Sequence, residues 1–457
     1  MNVSALGQEE KVKYLTTEPV PHLICQMAVP TIISMLVTSF YNMADTFFVG
    51  KIDTDSTAAV GVVFSIMALI QACGFFFGHG SGNYISRKLG AKEYEDANAM
   101  AACGFYCSFI AGLVLGILGL LFLEPLALLL GAIPDFMDQT KQYLGIILLG
   151  TPFMMSQLVL NNQLRFQGSA SFAMVGIVTG AVVNIALDPI FIFVFQMGVS
   201  GAAAATVVSQ LISFCLLWLE SHKGGNIKVK WKNFHPDFAS LKEIFKGGLP
   251  SLCRQGLGSV ATICLNRSAG MFAGEYTVQA IAAMSVVTRI TMFANSALIG
   301  FGQGFQPVCG MNYGAGKYDR VREGFWFCVK TALCFLVVVS VFGILFAEPL
   351  VTLFRKDDPD VIRIGTTALR LQCIAFPLSS FVVICNMYLQ SIGKAAKASI
   401  VAASRQGIFF LPLIWILPYF MGLFGVQISQ MISDICSFFL AVPLGISVLR
   451  EMKQKEN

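Results

Sequence analysis

The chain has 457 residues, 56% of them hydrophobic and only 12% charged, with a mean hydropathy of +0.71. These values exclude a soluble globular protein, and the net charge of +5 reflects basic loops rather than a nucleic acid partner. Apolar stretches of about 20 residues, each enough to cross a ~30 Å hydrocarbon layer as a helix, recur throughout, and the alternating pattern of an outer-membrane barrel is missing.

The expected fold is an all-α integral membrane protein with twelve transmembrane helices. They are expected near residues 20–47, 56–82, 95–122, 136–162, 168–196 and 200–220, then 240–270, 277–306, 322–346, 360–390, 396–420 and 424–448. The first apolar stretch begins around Leu23, is too long for a signal-peptide core and lacks a small-residue cleavage site, so it reads as a retained helix. Near its far end lies Asp45, four residues after Tyr41 and so on the same helix face. A glycine-rich segment, GHGSGNYISRKLGAKEY at 78–94, reads as a loop after the second span. In the fifth span, Asp188 is the only Asp, Glu, Lys or Arg between Arg165 and Glu220. Asn184 precedes it by four residues, and Pro189 follows, removing an amide donor and loosening a backbone carbonyl. A basic stretch at 221–246 then leads into the second half, where the last span carries Asp434. Arg254, Arg267, Arg289, Arg370 and Arg405 read as structural partners, one of them available to Asp434, or as residues snorkelling to a span end.

The halves repeat at an offset of 220 to 225 residues. Pro30 answers to Pro250, and Leu-Glu-Pro-Leu at 123–126 to Ala-Glu-Pro-Leu at 347–350. The glycine-rich segment answers to GQGFQPVCGMNYGAGKY at 302–318, and Pro152, Asn161, Leu164, Gly168 and Ala170 answer to Pro377, Asn386, Leu389, Gly393 and Ala395. An even number of spans per half makes the repeats parallel, giving two six-helix lobes related by a pseudo-two-fold axis along the membrane normal. The division expected is an N-terminal lobe at 1–222, a basic linker at 223–240 and a C-terminal lobe at 241–457.

Placing the termini and even-to-odd loops on one face collects 20 of the 31 Lys and Arg residues, Lys11, Arg87, Arg165, Lys246 and Arg320 among them. The other face holds Lys51, Lys141, Arg355, Lys356 and Arg363. The positive-inside rule therefore predicts a multi-pass protein of the cell membrane with both termini cytoplasmic. The 13 cysteines and four histidines show no metal-ligand spacing, so no cofactor of the zinc type is expected.

Acids inside a membrane usually face the bundle interior or a wet cavity. Two carboxylates with an amide, a hydroxyl and a loosened carbonyl form the ligand set of a hard monovalent cation, and two desolvated acids equally form a proton site. The residues leave H⁺ and Na⁺ both open as the coupling ion. The 39 Phe and 19 Met residues would suit a cavity for lipophilic cations, although most such residues face lipid or pack between helices.

The order Pro30, YNMADTFFVG, RKLGAKEYEDA and Asn184-x3-Asp188-Pro189 resembles the multidrug and toxic compound extrusion (MATE) family, and within it the DinF-like and MepA-like branch. The resemblance spans essentially the whole chain. It implies a V-shaped, two-lobed fold of the MOP superfamily that rocks between outward-open and inward-open states, exporting compounds against inward H⁺ or Na⁺. It implies a coupling site at Asp45, Asn184, Asp188 and Thr206, a substrate cavity at Tyr41 and Asn161, and a first-helix bend at Pro30. NorM-like members carry acids in the seventh and tenth spans, whereas here LPSLCRQGLGSVATICLN at 249–266 and LQCIAFPLSSFVVICNMYLQ at 371–390 contain none, so coupling is expected in the first half.

The expected function is thus a cation-coupled multidrug antiporter, not an enzyme, working as a monomer among membrane lipids on small lipophilic cations. A flippase for a lipid-linked metabolite is the alternative, although such proteins commonly have fourteen spans and a cationic cavity. A membrane-embedded enzyme would need a motif that is missing: there is no HExxH, GxSxG or DDxxD.

Overall fold

A backbone inside hydrocarbon must pair its polar groups within its own segment, and in the computed structural model this chain does so with helices alone among the described residues, 3–354 and 358–456. Arg355 and Lys356, expected on the less basic face, lie outside those residues. A short helix α1 (Gln8–Thr17) precedes α2 (Val20–Val49), α3 (Thr54–Gly90), α4 (Tyr94–Leu121), the eight-residue α5 (Leu123–Leu130), α6 (Met137–Phe166), α7 (Ala170–Pro189) and α8 (Gly198–Ser221). The second half runs α9 (Phe238–Phe272), α10 (Thr277–Gly314), α11 (Tyr318–Leu345), α12 (Ala347–Phe354), α13 (Pro359–Ser391), α14 (Ala395–Ala403), α15 (Phe410–Met421) and α16 (Leu423–Glu456).

Eleven spans in the described residues are long and apolar enough to cross a membrane, each where one was expected, with α14 and α15 forming a single span. The twelfth is α9. Its 35 residues give ample length, but Arg254, Gln255, Asn266 and Arg267 dilute its apolar character. The repeat carries into the elements: α4 and α11 share both ends at an offset of 224, as do α5 and α12, which the Leu-Glu-Pro-Leu and Ala-Glu-Pro-Leu segments form. Gly168 and Gly393 take up φ of +85° and +82° just past the ends of α6 and α13, a left-handed conformation that costs glycine little. These two helices are the most enclosed spans of their halves.

The glycine-rich segments are not loops. α3 stays helical through Gly90 and α10 through Gly314, because here glycine serves close approach rather than turning. A Cβ at Gly80 would overlap the Ile244 carbonyl, one at Gly90 the Met311 carbonyl and one at Gly314 the Arg87 carbonyl. One at Gly300 would lie 2.7 Å from Ile32 Cα. The missing side chains let α3 press on α9 and α10, and α2 on α10, along a seam between the halves. Ser86 donates to Pro307 O (3.1 Å) and Arg87 to Ser391 O (3.0 Å) across it. All of these contacts lie in the half of the bundle nearer the termini.

On that same face α1 spans the seam. Lys11 Nζ donates to Ser169 Oγ and Asn226 Oδ1, both at 2.7 Å. The carbonyls at the other end of α1 accept from the second half: Leu15 O from Asn312 (3.0 Å), Thr16 O from Lys317 (2.7 Å) and Glu18 O from Arg320. Cations at a helix C-terminus also meet its partial negative charge. Neither Lys11 nor Arg165 is a solvated loop cation, as their grouping with the basic loops had assumed: each is only 2% exposed, and Arg165 lies within the last turn of α6.

Candidate cation site and the family it belongs to

α7 gives way at Pro189 to one turn of π-helix, Ile190–Val194, closed by Phe195 N–H donating to Ile190 O (2.9 Å). Such wide turns recur at functional sites. Asp188, immediately before the change, is fully buried where α7 packs on α2 and α8. Oriented to satisfy both neighbours, the Asn184 amide donates to Asp188 Oδ2 (3.2 Å) and accepts from Thr206 N–H (3.3 Å). Asp45, on α2, is within electrostatic reach of Asp188, and Tyr41 is within reach of both acids. Asp45 Oδ1 and Asp188 Oδ1 are buried and have no hydrogen-bond donor among the described residues.

Asp45, Tyr41, Asn184, Asp188 and Thr206 therefore meet, from α2, α7 and α8. Two further residues join them: Gln210 beside Tyr41, and Tyr143 of α6, which faces Thr206 and both acids. Tyr143 escaped the sequence reading because a tyrosine in an apolar span resembles any core aromatic. Asn161 is not in the cluster. Its amide donates to Ala173 O (2.9 Å), and it lies 18 residues from Tyr143 on α6, or about 27 Å at 1.5 Å per residue. Its repeat partner Asn386 makes the matching bond to Ala398 O (2.8 Å). α2 runs through Pro30 as one helix, with Ser34 Oγ donating to Pro30 O (2.9 Å).

Asp434 has the partner that the sequence suggested. Arg405 grips it through Nε (2.7 Å) and Nη2 (3.4 Å), and Gln430 adds a third donor (2.9 Å). An apolar cavity of about 750 Å³ opens between α2, α10, α11, α12 and α13. Six phenylalanines line it, Phe293, Phe301, Phe335, Phe342, Phe354 and Phe376, with no charged residue and no methionine.

A family model described as MatE matches residues 30–190 and 257–416, one stretch in each half. The chain belongs to the MATE family. It is 28% identical over 438 residues to the multidrug export protein MepA of Staphylococcus haemolyticus (strain JCSC1435), covering 95% of both chains. A crystal structure of MATE in complex with MaL6 superposes with a TM-score of 0.90 at 28% identity, over 96% of this chain and 99% of that one. An outward-facing conformation of a multidrug resistance MATE family transporter of the MOP superfamily gives 0.89, also at 28% identity, over 96% and 98%. This MATE chain is accordingly a multi-pass membrane transporter rather than an enzyme.

Proposed function

We propose that the chain is a cation-coupled antiporter, exporting lipophilic and often cationic compounds from the cell, with H⁺ or Na⁺ engaging Asp45, Asn184, Asp188 and Thr206. One observation carries this reading: two acids within reach of each other each hold a buried oxygen that no donor satisfies. A buried carboxylate without a partner is costly, and a proton or a small cation removes that cost. Asp434 is already neutralised by Arg405 and is a poor candidate. The name of the related MepA supports multidrug export, and the phenylalanine-lined cavity suits flat lipophilic molecules.

The basic face, which carries α1 and the linker, is the cytoplasmic one in this reading. The glycine seam then closes the cytoplasmic side, an outward-facing arrangement. An entering cation neutralises Asp45 and Asp188, so the contacts of α2 with α7 can rearrange beside the π-turn and loosen the hold on substrate. Each unit charge moving inward through 100 mV supplies about 2.3 kcal/mol. Tyr41 lies with the acids and does not line the phenylalanine cavity, so a change at the acids would reach bound substrate through α2, which borders both.

The test uses vesicles loaded with ethidium under an imposed Na⁺ or proton gradient. Asp188→Asn and Asp45→Asn should each lose most gradient-driven efflux, and the gradient that drives wild type identifies the ion. Undiminished efflux in both variants would sink the proposal.

A further inference from the structure

Away from the acids, near the closed seam, two arginines, Arg165 buried and Arg254 half-buried, have no acid beside them among the described residues. Arg165, 2% exposed, donates through Nη1 to Gln303 Oε1 of the other half (2.8 Å) and through Nη2 to Asn162 Oδ1. Its Nη2 is also 3.4 Å from His79 Nε2. The other ring nitrogen, His79 Nδ1, sits 3.1 Å from Phe75 O, an acceptor only, so Nδ1 carries the hydrogen and Nε2 accepts from the guanidinium. Arg254 donates through Nη1 to Asn386 Oδ1 (3.0 Å). All four partners are neutral. Arg165 Nε and Arg254 Nη2 are buried with no acceptor among the described residues.

The two guanidiniums are within electrostatic reach of each other, and both act on His79. A buried charge is normally paired, and two like charges facing each other in a low-dielectric interior raise the cost further. The Arg405–Asp434 pair shows that the same bundle pairs an arginine where the role is structural.

We infer that Arg165 and Arg254 form an anion site at the seam, taking the carboxylate or phosphate group of an amphiphilic molecule as the lobes part on that face. This rests on the alternating access proposed above. Parting breaks the bond from Arg165 to Gln303 and frees Nη1, while Nε already lacks an acceptor, so the guanidinium offers N–H donors on two of its edges to a carboxylate or phosphate. Arg254 supplies a third donor from the facing lobe. The substrate range then includes zwitterions whose acid is read here, at the cytoplasmic entrance, apart from the coupling acids.

The shared chemistry has two sources, a substrate acid or a lipid headgroup. The experiment uses the full chain in nanodiscs of phosphatidylcholine, with a rhodamine bearing a free carboxylate and its methyl ester as probes. In wild type and in Arg254→Gln, binding of both dyes is followed by fluorescence polarisation. The ratio of carboxylate to ester affinity should fall roughly tenfold, as loss of a charged hydrogen bond implies, and Arg254→Lys should retain part of it. The ester reports folding within the same sample. A second arm adds phosphatidylglycerol and follows thermal stability: stabilisation that depends on Arg254, with an unchanged dye ratio, assigns the anion to the headgroup. A dye ratio and a lipid effect that both ignore Arg254 overturn the site. Failure of wild type to export either dye would count against multidrug export, while binding would still score the anion site.

Discussion

Asp188 and Asp434 are both buried acids of spanning helices, and their neighbours set them apart. Asp434 is held by two nitrogens of Arg405, with a side chain 4% exposed against 17% for the arginine. Removing one member strands the other, at a cost of about 3–5 kcal/mol, whereas replacing both with apolar groups is often neutral. Asp434→Leu should therefore lower the melting temperature clearly, and adding Arg405→Met should recover most of the loss. Dye efflux per folded molecule should survive in the double variant. An efflux loss as deep as that of Asp188→Asn would instead bring the second lobe into coupling. The sequence made Asp188 conspicuous because nothing else between Arg165 and Glu220 is charged. It could not separate Asp434 from a coupling acid, since Arg405 lies 29 residues away and only packing brings the two together. Arg165 misled for the opposite reason: at the end of a span it reads as a loop cation, and only the facing helices bury it.

Helix positions were legible because apolar length is a direct physical requirement of the bilayer. The continuation of α3 and α10 was not, since glycine marks turns and close approaches alike, and only a facing backbone decides which. α1 was also hidden, being polar and too short to span. Its Lys11 amine sits between Ser169 and Asn226, and burial lowers its pKa from 10.5 to about 8. If α1 lifts off, Lys11 returns to water and regains the higher value. Between those pH values the lifted form holds more protons than the docked one, so docking strengthens as pH rises from 8 towards 10.5 and is weakest below 8. Hydrogen exchange of the α1 amides should therefore slow across that window beyond the usual chemical correction. In Lys11→Met the dependence should vanish, and α1 should exchange faster by an amount matching a loss of about 1–3 kcal/mol. A flat profile in wild type would refute the linkage.

At the scale of the whole molecule, the repeat is a feature that sequence alone conveys well, because one offset runs through landmarks as different as Asn161 with Asn386 and Gly168 with Gly393. What distinguishes the halves is the acid cluster of one and the ion pair of the other. The seam that closes them depends on backbone fit. Gly304→Val would drive a side chain into the backbone of Ala28 and should cost about 1–3 kcal/mol of closure. Spin labels on α3 and α10 at the basic face should then report a longer separation in double electron–electron resonance. Gly258→Ala, which meets nothing within 4 Å, should leave that distance unchanged. The glycine seam also bears on energy conservation. For the cation-coupled antiporter proposed above, a closed gate that water can thread would dissipate the driving gradient, and proton hopping needs only a single file of molecules. Where carbonyl and Cα atoms of facing helices leave no room even for a methyl group, no such file fits, so the smallest residues of the chain serve as its insulation.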